Sequence, residues 1–164
     1  MKPLIQKGQP LWDKLIMASF VLLFFGWLIL MGLDAGRFRW SAMPPLLQWL
    51  GAAGILISMC IWSWTVQANP FLANVVKIQA ERGHKVVTKG PYGFVRHPFY
   101  AATLLLLPSA ALMLGSWFGL AAAVPLAGVV VLRTALEDRE LHRKLGGYAD
   151  YAQRIRYRLV PWLW

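Results

Sequence analysis

The chain of 164 residues has a single cysteine, three histidines and seven acidic residues against seventeen basic ones. One cysteine excludes a disulfide framework and a cysteine metal cluster. Cys60 lies inside an apolar run and reads as a small apolar residue. The histidines show no zinc-type spacing, so no metal is expected. Internal repeats and low-complexity segments are also lacking. Residues 1–164 therefore read as one membrane domain, with two N-terminal spans in 1–68 and the motif-bearing region in 69–164.

What the chain does have is apolar sequence: 58% of it is hydrophobic, with nine tryptophans. Soluble domains of this length rarely reach such values. Crossing the hydrocarbon takes ~20 residues as a helix, and the stretches Leu15 to Leu33 and Leu46 to Val66 are long enough. Phe99 to Leu114 and Ser116 to Leu132 are slightly shorter and read as a tight helical hairpin, kinked at Pro108 and Pro125. The opening "MKPLIQKGQPLWDK" has the charge of a signal peptide, but no small-x-small cleavage site follows, so the first run is taken as a retained span. The expected fold is an all-α integral membrane protein of about four transmembrane helices, ending in a cytosolic amphipathic helical segment.

The charge of +10 would point to nucleic acid in a soluble protein, but its distribution argues otherwise. With four spans, all basic residues except Arg37 and Arg39 fall on one face. That asymmetry follows the positive-inside rule and predicts that both termini and the 67–98 loop face the cytoplasm, beside an anionic lipid surface. Nucleic acid is not an expected partner. Trp12, Trp40, Trp117, Trp162 and Trp164 stand near span ends, where an interfacial belt accounts for them.

Polar chemistry is concentrated in two segments. In "QAERGHKVVTKGPYGFVRHPFYAA", Gly90-Pro91-Tyr92-Gly93 is a turn by composition. Arg96-His97-Pro98 then opens a helix, with proline at a first position where its missing N–H costs nothing. The free amides there favour an anion beside Arg96 and His97, such as a cofactor carboxylate. In "RTALEDREL", Arg133 and Glu137 are four apart on one helical face at the edge of the fourth span. An intrahelical ion pair would explain them. So would a division of labour, with Arg133 holding an anionic substrate and Glu137 a cationic group.

The ordered combination of His84, Gly90-Pro91-Tyr92, Arg96-His97-Pro98-Phe99-Tyr100 and Glu137-Asp138 resembles the isoprenylcysteine carboxyl methyltransferase family and its phospholipid methyltransferase relatives. The resemblance covers about residues 69–164. It implies an S-adenosylmethionine site on the cytosolic face and a lipophilic acceptor arriving from the bilayer. Carried over position by position, Gln79, His84, Lys85, Val86, Val87, Tyr92, His97, Pro98, Phe99 and Tyr100 would line the cofactor site. Glu137 would bind the cofactor's ammonium, and Arg133 would orient the substrate carboxylate. Ala102 stands where many relatives have glycine, and Asp138 replaces a second glutamate. Taken singly, His84 reads as a loop residue, Tyr92 and Tyr100 as interfacial aromatics, and Arg96 as a snorkelling, mainly structural anchor. The expected activity is methylation of an isoprenylcysteine-like carboxylate. A phospholipid amine, a small thiol, a nicotinamide-dependent sterol-type reductase and a noncatalytic scaffold stand as alternatives.

Overall fold

The computed structural model describes residues 9–72 and 85–164; Gln79 and His84 lie outside them. Among the described residues the chain is helical, without strands. Helix α1 spans Leu11–Met31 and continues as a π-helical segment, Gly32–Phe38. Helix α2 spans Pro45–Ala68, α3 Pro98–Leu114, α4 Trp117–Lys144 and α5 Tyr148–Arg154. A 3₁₀ turn at Gly90–Gly93 precedes α3. Among the described residues three helices, α1 with its continuation, α2 and α4, are long and apolar enough to cross a membrane, and α3 is a shorter apolar helix. The protein is an integral membrane protein.

Proline starts α2 and α3, as expected where an N–H has no intrahelical partner. The predicted hairpin forms between α3 and α4. Gly115 ends α3 in the left-handed region at φ 78°, and Ser116 caps α4 by accepting the amide of Gly119 at 2.7 Å. Helix α4 runs further than the hydropathy predicts. It does not stop near Leu132 but carries Arg133, Glu137 and Asp138 in the same 28-residue rod. At 1.5 Å per residue that rod is about 42 Å long, so its last turns overhang the apolar region. The helix is interrupted at Leu145–Gly147, where Gly147 takes φ 77° before α5.

Helices α2 and α3 lie antiparallel, with Gly51 of α2 against Ser109 to Met113 of α3 and Trp62 stacked on Phe99 at 5.3 Å. A Cβ on Gly51 would meet α3 backbone atoms closer than 3.0 Å. Only a small-residue seam allows this approach. Helix α1 lies antiparallel to α4: Trp27 donates its indole N–H to the Gly119 carbonyl at 2.7 Å, and Asp13 meets Arg133 at the other end. Trp27 and Met31 of α1, Leu107 and Ala111 of α3, and Ala123 and Leu126 of α4 form the buried apolar core. At the hairpin-turn end of that core, Asp34 accepts hydrogen bonds from Ser41 and Ser116, tying the π-helical segment to the turn.

Candidate functional site

At the opposite end of the bundle, α1, α3, α4 and the 85–97 segment enclose a cavity of about 630 Å³. That lies within the ~300–1,000 Å³ range of small-molecule sites. Its walls have two characters. Tyr92, Tyr100, Arg133, Glu137, Lys85 and Lys144 make one part polar. Met17, Phe20, Phe24, Leu106, Leu107, Val129 and Val130 make the other apolar. Since Val129, Arg133 and Glu137 follow one another at helical spacing along α4, the two parts meet at Arg133.

Every predicted site residue that the structure describes lines this cavity: Lys85, Val86, Val87, Tyr92, His97, Pro98, Phe99, Tyr100, Arg133 and Glu137. Trp62 supports this wall by donating its indole N–H to the Phe99 carbonyl at 3.1 Å. Tyr100 donates its hydroxyl to Glu137 at 2.6 Å. Asn69 donates to the Tyr92 hydroxyl at 2.8 Å, and Tyr151 donates to the Tyr92 carbonyl at 2.8 Å. Burial pushes the Tyr92 phenol up to about 12, with the Glu137 charge adding to it against the Asn69 hydrogen bond. Burial likewise raises Tyr148 and Tyr151, and the Asp138 charge reinforces both shifts. These hydroxyls stay protonated at neutral pH.

The sequence points to an incoming carboxylate beside Arg96 and His97. In the structure that place is taken by the chain's own Asp138, which is 1% exposed. Asp138 accepts from Arg96 Nε at 2.9 Å and Nη2 at 3.1 Å, from Arg158 Nε at 2.9 Å and from the Tyr148 hydroxyl at 2.8 Å. His97 Nε2 lies 3.0 Å from the same carboxylate. Arg96 spends its Nη1 on the carbonyls of Ile155 and Arg156. Each guanidinium nitrogen of Arg96 therefore has a partner, and the residue is a buried tie, not a snorkelling anchor. The backbone completes the joint, because the amides of Arg96 and His97 donate to the carbonyls of Tyr157 and Arg158 at 2.9 Å. Asp138 thus does more than replace a glutamate on a shorter arm. It fastens the C-terminal segment to the start of α3.

Arg133 also differs from expectation. Its Nε donates to Asp13 of α1 at 3.0 Å, and its guanidinium lies 5.7 Å above the Tyr100 ring. Asp13 is completely buried and accepts from Gln9 as well, at 2.8 Å. Arg133 is therefore tied to another helix, whereas the intrahelical explanation concerned Glu137 alone. Asp13 and the α1 wall went unrecognised in the sequence reading. Their signal was the spacing of Asp13, Met17, Phe20, Phe24, Trp27 and Met31, one helical stripe of alternating four- and three-residue steps.

Residues 46–146 match the phospholipid methyltransferase family. The chain belongs to that family. The matching segment of this phospholipid methyltransferase family member begins in α2 and ends just past α4, so it contains the α3–α4 hairpin and Arg133, Glu137 and Asp138, while α1 and the C-terminal segment lie outside it. Among its relatives, the cobalt-zinc-cadmium resistance protein CzcN of Cupriavidus metallidurans is 31% identical over 131 residues, covering 77% of this chain and 56% of the relative. Protein-S-isoprenylcysteine O-methyltransferase B of Arabidopsis thaliana is 32% identical over 92 residues, covering 55% and 47%. A Delta(14)-sterol reductase of Mus musculus is 26% identical over 104 residues, covering 59% and 24%. The chain spans about half or less of the length of these relatives.

Proposed function

We propose that the protein transfers a methyl group from S-adenosylmethionine to a lipophilic acceptor, by O-methylation of a carboxylate on an isoprenylcysteine-like lipid. The observation that carries this reading is the two-part cavity. A polar chamber with the Glu137 carboxylate continues directly into an aromatic and aliphatic arm between α1, α3 and α4.

The residues present fit the cofactor. Glu137 is half-buried, held by the Tyr100 hydroxyl and aimed into a chamber of sufficient volume, which suits an ammonium group. The chamber's remaining wall would come from Lys85 to Val87, Tyr92 and His97 to Tyr100, with Gln79 and His84 assigned by resemblance. When bound, the cofactor supplies a methyl carbon already activated on a sulfonium. What is left to the protein is positioning and the exclusion of water, and ordering two reactants accounts for about 7–11 kcal/mol of barrier in favourable cases. A carboxylate acceptor is ionised at neutral pH and requires no general base. Arg133, one turn beyond Val129 and Val130, stands where the head of a lipid in the apolar arm would meet the chamber.

The similarity to a sterol reductase keeps a nicotinamide-dependent reading in view. Glu137 in the chamber suits the ammonium group of S-adenosylmethionine better than a phosphate. Calorimetric titration with S-adenosylhomocysteine and with reduced nicotinamide phosphate separates the two. Binding of the first alone is expected, and binding of the second alone would replace the methyltransferase reading. The charge asymmetry supports a chamber that faces the cytoplasm. Cysteines introduced at Lys89 and Arg37, with Cys60 replaced, should react with impermeant reagents from opposite sides of the membrane. Reaction from the same side would remove that orientation.

A further inference from the structure

Helix α1 places one buried acid, Asp13, against the cavity-lining Arg133, and it lies outside the segment that matches the family. Asp13 heads the stripe that continues through Met17, Phe20 and Phe24, the three residues by which α1 lines the apolar arm. A carboxylate at 0% exposure in such a helix is costly. A buried ion pair is moreover seldom more stable than the hydrophobic residues that could replace it. Stability alone thus gives little reason for Asp13 to pair with Arg133. The geometry offers another reason. Asp13 fixes the guanidinium by its Nε at 3.0 Å, the Tyr100 ring lies 5.7 Å beneath it, and the Tyr100 hydroxyl reaches Glu137 at 2.6 Å. The chain of contacts runs unbroken from α1 to the chamber's carboxylate.

We infer that Asp13 is a positioning residue that orients Arg133 and tempers its charge toward the acceptor, an inference that rests on the carboxyl-methylation reading above. In that reaction a carboxylate oxygen forms a bond to the methyl carbon while the carbon–sulfur bond breaks and its electron pair goes to sulfur. The anionic acceptor becomes a neutral ester, and the sulfonium becomes a neutral thioether. An arginine beside the carboxylate consequently stabilises the ground state more than the transition state, in which that charge is fading. An interaction of this kind tightens binding and slows the chemistry. By sharing the guanidinium's charge, Asp13 lets Arg133 hold the acceptor's head in register without suppressing the nucleophile.

The test is a split between binding and turnover. In the full chain in detergent or lipid, Asp13→Asn should bind S-adenosylhomocysteine within about twofold of the unmutated protein. It should bind a prenylcysteine carboxylate analogue about threefold or more tighter, because the guanidinium is no longer neutralised. It should turn that acceptor over about tenfold more slowly. A structural role alone would weaken both ligands together, and that result overturns the inference, as does an Asn variant with unchanged acceptor binding and turnover. If Asp13→Asn does not fold, Asp13→Glu decides: it keeps the charge but displaces the guanidinium, so kcat should fall about fivefold or more with KM nearly unchanged. Wild-type turnover in Asp13→Glu would sink the proposal. Failure of the unmutated protein to bind S-adenosylhomocysteine would remove the methyltransferase reading and this inference with it. Normal cofactor binding without the split would remove this inference alone.

Discussion

Glu137 and Asp138 are adjacent acids on one helix, yet they occupy opposite electrostatic situations. Successive residues of an α-helix point about 100° apart. Glu137 faces the cavity, half-buried, with the Tyr100 hydroxyl donating to it. Asp138 faces away into protein and is surrounded by Arg96, His97, Arg158 and Tyr148. The comparison teaches that a run of acids at a membrane edge need not share one task. A carboxylate with its acceptor sites filled by the protein fastens parts of the fold, while its neighbour, turned toward open volume, can receive a ligand.

Substitutions sharpen this contrast in graded fashion. The largest effect is expected for Asp138→Asn, which leaves the buried Arg96 guanidinium and the half-buried Arg158 poorly compensated and should cost about 3–5 kcal/mol of stability. Thermal unfolding should shift strongly, and the C-terminal segment should become protease-sensitive. A variant of normal stability would deny Asp138 its fastening role. Next comes Glu137→Gln, expected to fold normally but to weaken S-adenosylhomocysteine binding by about 100-fold or more, through loss of a partly desolvated charge partner. Normal affinity in calorimetry would show that the chamber's acid does not contact the ligand.

A smaller, selective loss is expected for Arg133→Lys, which keeps the charge but not the planar fork. Cofactor affinity should hold while carboxylate methylation slows by about tenfold or more. Activity toward an amine acceptor that survives this change, with none toward a carboxylate in the unmutated protein, would overturn the acceptor class. The least effect is expected from alkali. The folded-state phenol of Tyr92 lies above its unfolded value of 10.0, at about 12. Its contribution to stability is therefore complete below pH 10 and is lost as pH rises toward 12. Tyr92→Phe should flatten that part of the stability profile, and an identical profile in the variant would show that other groups govern it.

The helical fold was legible because spanning a bilayer requires long apolar runs, and the chain supplies them with turn residues between. Gly115-Ser116 between the two shorter apolar runs marks the hairpin, and Gly146-Gly147 marks the break after α4. The end of α4 could not be placed by hydropathy, because a helix that overhangs the apolar zone changes its surroundings without changing its backbone. The chamber's lining from Lys85 to Tyr100 followed from an ordered motif. The partners of Arg96, Arg133 and Asp138 did not, since Asp13 and Arg158 are far from them in sequence and only packing brings them together. Ion pairs between distant segments leave no periodic trace, whereas the α1 stripe of Met17, Phe20 and Phe24 did leave one.

The Asp34 junction gives the bundle a mechanical asymmetry. It joins the π-helical segment to Ser41 and to Ser116 at the hairpin turn, and the Trp27 indole fastens the same end to Gly119. The far end of α1 is held to α4 by the side chain of Asp13. With about 30 Å of helix between Asp34 and Asp13, a tilt of about 5° about the junction displaces the Asp13 end by about 3 Å, roughly the length of one hydrogen bond. Over that length a small rotation at the hairpin-turn end would be enough to make or break the contact of Asp13 with Arg133. Such a rotation would make the bundle a lever with its fulcrum at the α3–α4 turn and its working end at Arg133.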